Sequence, residues 1–132
     1  MEQLAMQRPP RRILVVDDDA DARLVFLDML ESEGYSAEAV SDGLQALKVL
    51  NRGELPGLII LDLMMPGVTG LRFLEMRAGN PALAAIPVVV ATASGMTHVQ
   101  HDVLAVLPKP LDVTTLLSLV ARTCGPAQMI QG

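Results

Sequence analysis

Short runs of apolar residues alternate along the chain with longer segments in which apolar residues recur every three or four positions. A run of about four to eight apolar residues is typical of a strand buried in a sheet, and the longer spacing is typical of an amphipathic helix. The runs predict five strands, over residues 13–17, 36–40, 57–62, 85–92 and 103–107. The second strand alternates in character, whereas the third, GLIILD, is almost continuously apolar.

Helices are predicted in the intervals between these strands. The first covers about residues 20–33, and Gly34 follows it where a helix commonly ends in a left-handed residue. Asp42 and Asp112 are each placed to cap a helix, since a carboxylate accepts hydrogen bonds from the amides of a first turn. Another helix is predicted from about Gly70 to Ala78. The residues expected on the apolar faces are Leu24, Leu27, Leu30, Leu44, Leu47, Leu50, Leu71, Leu74, Leu116, Leu119 and Val120.

Strands of nearly continuous apolar character that alternate with helices predict a parallel sheet covered on both faces. Right-handed crossovers then give a small doubly wound α/β fold, in which ligands bind beyond the carboxyl ends of the strands. The polar residues that the sequence places at those ends are Asp17, Asp18, Asp19, Asp62, Thr92 and Lys109. These side chains are therefore expected to share one edge of the sheet.

The acidic residues at that edge predict a cation. Four of the five positions from Asp17 to Asp21 are aspartates, and like charges this close repel unless something positive lies among them. Asp18 and Asp62 are placed to hold a divalent metal together, and hard oxygen ligands completed by water suit Mg²⁺. A carboxylate at such a site is also a nucleophile toward phosphorus, with Thr92 and Lys109 placed to hold phosphoryl oxygens. The edge therefore predicts phosphoryl transfer.

Composition and charge narrow the class of protein. The chain has 132 residues, enough for one domain with one hydrophobic core, and only 2% of them are aromatic. A formal net charge of −5 argues against direct DNA binding, which needs a basic surface. The single cysteine, Cys124, excludes an internal disulfide and fits a reducing compartment. Since there is neither a signal-peptide pattern nor an apolar run of about 18 residues, we expect a soluble cytoplasmic protein with no membrane partner.

Four segments resemble, in order and spacing, the receiver domain of two-component response regulators, the CheY-like family. They are ILVVDDD (13–19), LIILDLMMPGVTG (58–70), VVVATAS (88–94) and LPKPLD (107–112), which together span about 100 residues. The resemblance implies a (βα)5 flavodoxin-like sandwich with a parallel five-stranded sheet in the order 2-1-3-4-5. It also implies a flexible N-terminal arm over residues 1–11, a receiver domain over 12–123 and a C-terminal tail over 124–132.

The resemblance also implies a role for each matched residue at the site. Asp62 would be the phospho-acceptor, and Thr92 and Lys109 would bind the phosphoryl group. Asp18 would contact Mg²⁺ directly, and Asp17 mostly through water. The complete set of implied metal ligands is Asp17, Asp18, Asp62 and the backbone carbonyl of Met64.

Two neighbouring features follow from the same resemblance. The bond between Lys109 and Pro110 matches one that is cis in the family, and proline makes that isomer accessible at a cost of about 0.5–1 kcal/mol. Asp19 would serve only to start a helix, where the positive end of the helix dipole favours an acid.

The implied partners are a histidine kinase or a histidine phosphotransfer protein, which would donate the phosphoryl group, and a further protein downstream. Such a bacterial phosphorelay protein is not an enzyme acting on other substrates, because it catalyses only its own phosphorylation and slow dephosphorylation. It would signal through phosphorylation-dependent protein–protein interaction. The resemblance leaves homodimerisation open.

Two features depart from the family pattern. Val106 lies three residues before the lysine, where the family usually has an aromatic or other large residue that reports on the threonine. About ten residues separate Thr92 from the predicted fifth strand, so the fourth helix is expected to be short or missing. We hypothesise that the phosphorylation signal leaves through another surface, or that the protein is a phosphate relay or sink.

Three other kinds of site can be compared with the acidic run of residues 17–21. A small haloacid-dehalogenase-type, Mg-dependent phosphatase with Asp17 as nucleophile is the alternative, because Asp17 and Asp19 form an Asp-x-Asp motif after an apolar strand. Asp21 stands where that family usually has threonine or valine, and its later acidic motif is missing. A flavodoxin-like flavin site is disfavoured because four aspartates would repel a phosphate. A calcium loop is rejected because Ala22 stands where the sharp turn needs glycine.

Overall fold

The computed structural model of the chain describes residues 12–63, 69–93, 95 and 99–126. The strands within these ranges are β1 (Ile13–Val16), β2 (Ala37–Val40), β3 (Leu58–Asp62), β4 (Val88–Thr92) and β5 (Ala105–Pro108). They form one parallel sheet in the order β2-β1-β3-β4-β5. The predicted doubly wound fold and its strand order are therefore confirmed.

The depth of each strand explains its sequence character. Every residue of β1, β3 and β4 is buried, as expected for central strands covered on both faces. The edge strands β2 and β5 are only partly buried, which accounts for the weaker pattern of SAEAV. The largest shifts of predicted boundaries are at two strand starts. β4 begins at Val88, after Pro87, which has no amide hydrogen to donate. β5 begins at Ala105, two residues later than predicted.

Five helices lie in the described ranges: α1 (Ala20–Ser32), α2 (Gly43–Leu50), α3 (Gly70–Ala78), α4 (Pro81–Ala84) and α5 (Val113–Cys124). Four of them match the predicted helices. The short α4 was not predicted, although Asn80 and Pro81 carry its signal, because the Asn80 side chain accepts a hydrogen bond from the Ala82 amide and Pro81 occupies the first helical position. None of the helices in the described part of the chain has the length and apolar character that crossing a membrane requires.

The predicted caps are confirmed for two helices and wrong in detail for a third. Asp19 accepts hydrogen bonds from the amides of Asp21 and Ala22, and Asp42 accepts one from the Gln45 amide. Asp112 lies at the start of α5, but its side chain makes no hydrogen bond to the backbone there. Its carboxylate accepts instead from the hydroxyl of Thr115. Gly34, with φ of 90°, ends α1 in the left-handed region as predicted.

The helices bury narrower faces than the leucine spacing predicts. On α3 the buried residues are Gly70, Phe73, Leu74 and Arg77, whereas Leu71 is 43% exposed, so its inward placement was wrong. Burial at i, i+3, i+4 and i+7 is the regular helical face, and Leu71 lies outside it. Leu24 and Leu44 are exposed for the same reason.

The crossover between β4 and β5 contains no helix among the residues described there, which are 93, 95 and 99–104. The family's fourth helix would lie in this interval, after β4, and is not the helix labelled α4 here. The expectation that it is short or missing is confirmed. Val99 is buried in the core, and the Leu104 amide donates a hydrogen bond to the Val88 carbonyl at 2.8 Å. The end of the crossover is thereby joined to the first residue of β4.

A buried arginine fixes the same crossover from the α3 side. Arg77 is only 4% exposed, and its Nη1 donates to the Asp102 carbonyl at 3.1 Å. Its Nη2 donates to the carbonyls of Ala84 at 3.1 Å and Ile86 at 2.7 Å. Burial lowers the pKa of Arg77, and the negative charge of Asp102 opposes that effect. The guanidinium therefore connects α3, the segment before β4 and the crossover.

Candidate functional site

The carboxyl ends of the two central strands β1 and β3 bring three aspartates together. Asp62 is the last residue of β3, and Asp17 follows β1 directly, one position beyond the paired residues Val16 and Leu61. One carboxylate oxygen from each of Asp17, Asp18 and Asp62 lies within 4.8 Å of the others. Such a set of hard oxygen donors suits a divalent cation such as Mg²⁺.

Asp17 is held at all four of its polar backbone and side-chain positions. Its amide donates to the Val40 carbonyl at 3.1 Å. Its carbonyl accepts from Arg23 Nη1 at 2.8 Å. Its Oδ1 accepts from the Asp19 amide at 2.9 Å, and its Oδ2 from Lys109 Nζ at 3.0 Å. Asp17, only 1% exposed, is therefore fixed in position by the surrounding structure.

The other two aspartates differ in their access to solvent. Asp18 is exposed, whereas Asp62 is 7% exposed. The acidic cluster thus has one side open to solvent, at Asp18, and a buried side at Asp17 and Asp62. A cation can approach from the open side without any change in the buried residues.

Lys109 supplies the positive charge among these acids. Its Nζ lies 3.0 Å from Asp17 Oδ2 and 3.5 Å from Asp62 Oδ2. Burial lowers the pKa of Lys109, but the hydrogen bond to Asp17 and the charges of Asp17 and Asp62 outweigh it, so the pKa lies above its ordinary value. The ammonium is therefore charged at neutral pH and partly compensates the repulsion among the carboxylates.

The ends of β4 and β5 bring Lys109 beside Thr92. Thr92, the last residue of β4, is 1% exposed, and its carbonyl accepts from the Lys109 amide at 2.9 Å. Ala91 pairs with Asp62 across β3 and β4, so Thr92 lies one position beyond the level of Asp62, the last residue of β3. The Lys109–Pro110 bond is cis, as predicted. Met64, the remaining predicted ligand, lies outside the described residues.

Gly70 is a further residue of the site that the sequence reasoning missed. A Cβ atom there would lie 2.5 Å from Leu63 Cα and 2.6 Å from the Asp62 carbonyl oxygen, both closer than real side chains approach. The Gly70 amide also donates to the Leu63 carbonyl at 3.2 Å. The first residue of α3 thus packs directly against the backbone that carries Asp62. The glycine at the end of the segment LIILDLMMPGVTG was the available signal.

Comparison with known families decides the assignment. Residues 13–121 match the sequence model of the response regulator receiver domain. The chain belongs to this family. The matched range contains the acidic cluster, Thr92 and Lys109, so the site described above is part of the receiver domain.

Curated relatives of this receiver domain include short and long proteins. Protein Rrf1 of Nitratidesulfovibrio vulgaris is 32% identical over 86% of the chain and 82% of its own length. The polar-differentiation response regulator DivK of Brucella anthropi is 28% identical over 89% of the chain and 99% of its own length. The transcriptional regulatory protein GlrR of Escherichia coli is 34% identical over 87% of the chain, which spans only 26% of GlrR.

Solved structures show the same fold. The receiver domain of sensor histidine kinase PA1611 from Pseudomonas aeruginosa is 25% identical, with a TM-score of 0.79 over 88% of this chain and 98% of that one. That structure has a magnesium ion coordinated in its active site cleft. A response regulator receiver protein from Pseudomonas putida is 30% identical, with a TM-score of 0.78 over 87% of this chain and 98% of the other.

Proposed function

We propose that this receiver domain accepts a phosphoryl group on Asp62 from a phosphohistidine of a histidine kinase or a phosphotransfer protein, in a Mg²⁺-dependent reaction. One observation carries the proposal: Asp17, Asp18 and Asp62 present oxygens within 4.8 Å of one another, and Lys109 Nζ lies 3.5 Å from Asp62. A nucleophilic carboxylate, a cation site and a fixed ammonium are the parts that phosphoryl transfer requires.

The donor set fits Mg²⁺. Asp18 and Asp62 would bind the ion directly, the Met64 carbonyl would complete the protein ligands, and Asp17 would act mostly through water. The last assignment is supported by the hydrogen bonds that both Asp17 oxygens already accept. When bound, the ion neutralises charge on the carboxylates and on the phosphoryl oxygens.

The chain's own residues account for the transfer. A carboxylate oxygen of Asp62 attacks phosphorus, the bond from phosphorus to the donor's imidazole nitrogen breaks, and its electron pair returns to that nitrogen. The product is an acyl phosphate on Asp62. The Lys109 ammonium and the Thr92 hydroxyl would donate hydrogen bonds to phosphoryl oxygens as they become more negative. Slow attack of water at phosphorus then releases phosphate and restores the carboxylate.

Two features of Asp17 argue against its use as the nucleophile. Both carboxylate oxygens of Asp17 accept hydrogen bonds, from the Asp19 amide and from Lys109, and the residue is 1% exposed. A phosphatase of the haloacid-dehalogenase type would need Asp17 free to attack. Turnover of para-nitrophenyl phosphate that is lost in Asp17→Asn and kept in Asp62→Asn would support that alternative.

The signalling step is proposed to be a shift between two states that exist before phosphorylation, with Thr92 drawn toward the phosphoryl group. The crossover between β4 and β5 is short, and hydrogen bonds at Leu104 and Asp102 hold its end. Val106 has no ring that could move between an exposed and a buried rotamer. We propose that the output is a protein–protein interaction through another surface, or onward transfer of the phosphoryl group. Phosphorylation-dependent amide protection confined to residues 93–121 would contradict this.

The test of the acceptor is direct. The protein is incubated with acetyl phosphate and Mg²⁺, and its intact mass is measured with and without a chelator. The wild type and Asp28→Asn, a control on the exposed side of α1, should gain one phosphoryl group, and Asp62→Asn should gain none. A wild type that gains nothing, or an Asp62→Asn variant that is labelled like the wild type, would overturn the proposal.

A further inference from the structure

We propose that Arg23 is a positioning residue for the cation site: its guanidinium, bound to the main-chain carbonyl of Asp17, holds the acidic loop in the shape that binds a divalent ion. The inference rests on the proposed function, because it concerns the same site. Among the hydrogen bonds described, the Arg23 side chain contacts neither Asp62 nor the Lys109 ammonium. Its proposed role is therefore indirect, through the Asp17 carbonyl.

The contact joins α1 to the end of β1. Arg23 lies in the first turns of α1, and its Nη1 donates to the Asp17 carbonyl at 2.8 Å. The Arg23 amide donates to the Asp19 carbonyl at 3.0 Å, so backbone and side chain of one residue fix both ends of the loop 17–19. A hydrogen bond from a charged donor to a carbonyl is among the stronger ones in proteins.

The loop needs such a support because of its charge. Asp17, Asp18, Asp19 and Asp21 lie within five positions, and their mutual repulsion favours a more open loop when no metal is present. Asp18 makes no hydrogen bond or ion pair with other residues in the described ranges, so its position is set by the backbone. That backbone is the one that Arg23 holds through the preceding carbonyl.

Two effects of removing Arg23 have opposite signs, which makes the proposal testable. Loss of a positive charge near the site would by itself strengthen binding of a cation. Loss of the carbonyl contact would instead weaken binding, because residues that orient metal ligands through hydrogen bonds typically contribute about 10- to 100-fold in metal affinity. Weaker binding in Arg23→Met therefore identifies positioning as the dominant effect.

The experiment compares the full-length wild type with Arg23→Met and with Arg122→Met, the matched change at an exposed arginine in the last turn of α5. The first readout uses metal-free protein: hydrogen exchange at the Asp19 amide, which donates to Asp17 Oδ1, should become faster in Arg23→Met alone. The second is calorimetric titration with Mg²⁺, in which Kd should rise about tenfold in Arg23→Met, at the low end of that range.

The outcomes separate this inference from the proposed function. If the wild type binds Mg²⁺ and is phosphorylated while Arg23→Met binds Mg²⁺ as tightly or more tightly, the positioning role is wrong and the proposed function stands. If the wild type binds no Mg²⁺, the proposed function fails, and the positioning role with it, even where Asp19 exchange responds to the substitution.

A second variant covers the case in which Arg23→Met does not fold. Arg23→Lys keeps the charge, but its ammonium lies one bond closer to the backbone than Nη1, so the carbonyl contact is lost or stretched. Since the repulsive charge remains, Kd for Mg²⁺ should rise at least as much as in Arg23→Met. A folded Arg23→Lys with the Mg²⁺ affinity of the wild type would overturn the inference.

Discussion

The ammonium nitrogen of Lys109 lies 3.0 Å from the carboxylate of Asp17, a buried residue 92 positions earlier in the chain. Replacing Lys109 by methionine leaves that carboxylate without its cation. We expect the free energy of unfolding of the metal-free protein to fall by about 1–3 kcal/mol, the usual cost of leaving a buried acceptor without its donor. Urea denaturation measures it, with Lys48→Met on the exposed side of α2 as control.

The same substitution should have the opposite effect on metal affinity. The Lys109 ammonium lies 3.5 Å from Asp62, a proposed direct ligand of the ion. Because removal of this positive charge favours a cation, Lys109→Met should bind Mg²⁺ several-fold more tightly than the wild type while phosphorylation is lost. Calorimetric titration checks the affinity and intact mass checks the phosphorylation. Unchanged Mg²⁺ affinity would mean that the ammonium and the ion do not compete.

Magnesium should stabilise the fold through Asp18. A ligand at about 100 times its Kd stabilises the native state by about 2.7 kcal/mol if it binds only the folded protein. This stabilisation should be present in the wild type and much reduced in Asp18→Asn at the same Mg²⁺ concentration. Because Asp18→Asn removes one of the carboxylates that repel one another, the metal-free variant should be as stable as the metal-free wild type or more stable.

Thermal unfolding with Mg²⁺ or with a chelator measures this difference. Asp28→Asn, which also removes one exposed acid of the N-terminal half, should respond to Mg²⁺ like the wild type. Equal stabilisation of Asp18→Asn would show that the ion binds elsewhere.

Gly70 and Gly79, at the two ends of α3, provide a matched pair of substitutions. Alanine at position 70 would place its Cβ 2.5 Å from Leu63 Cα and 2.6 Å from the Asp62 carbonyl, so the backbone beside the acceptor must move. We expect Gly70→Ala to lower the free energy of unfolding by about 1–3 kcal/mol, as overpacking does, and to slow phosphorylation by acetyl phosphate.

Gly79→Ala is the control for that experiment. The atom nearest to a Cβ at position 79 would be the Met76 carbonyl oxygen at 3.7 Å, which is an ordinary contact. The substitution also reduces the conformational freedom of the unfolded chain. Its stability should stay equal to or rise above that of the wild type, with an unchanged phosphorylation rate. A Gly70→Ala protein that matches Gly79→Ala in both measurements would contradict the close packing.

Arg77 should be important for stability although it is far from the acidic cluster in sequence. Arg77→Met removes the donors for the carbonyls of Ala84, Ile86 and Asp102, and we expect a loss of about 2–4 kcal/mol in the free energy of unfolding. Arg72→Met, an exposed change on the same helix, should stay within about 0.5 kcal/mol of the wild type. Hydrogen exchange should become faster over residues 99–104 in Arg77→Met alone.

Much of the site could be predicted from the sequence because its residues follow directly from strand ends. Once ILVV and LIILD are assigned as neighbouring parallel strands, Asp17 and Asp62 must lie together, and Thr92 joins them from β4 in the same way. Lys109 is less directly determined, because β5 begins two residues later than its pattern indicates. The fold still predicts it at the same edge because it follows the fifth apolar run, and the resemblance of the segment LPKPLD to the receiver family supports that position.

The contacts that support the site could not be predicted in this way. An arginine in a helix is normally exposed, and the local pattern around Arg77 does not show that the carbonyls of Ala84, Ile86 and Asp102 accept its hydrogen bonds. Leucine spacing likewise placed Leu71 inward, whereas the close approach of Gly70 to β3 turns that helix so that Phe73 and Leu74 face the core. Both outcomes depend on contacts between different elements, which the apolar spacing within one helix does not determine.

Asp17 makes four hydrogen bonds with different parts of the chain. Its partners are the Val40 carbonyl of β2, the Arg23 side chain of α1, the amide of Asp19 before α1, and the Lys109 ammonium after β5. The position of Asp17 therefore depends on four separate parts of the polypeptide. A substitution that displaces any of these parts should therefore also displace Asp17 and alter the acidic cluster that it forms with Asp18 and Asp62.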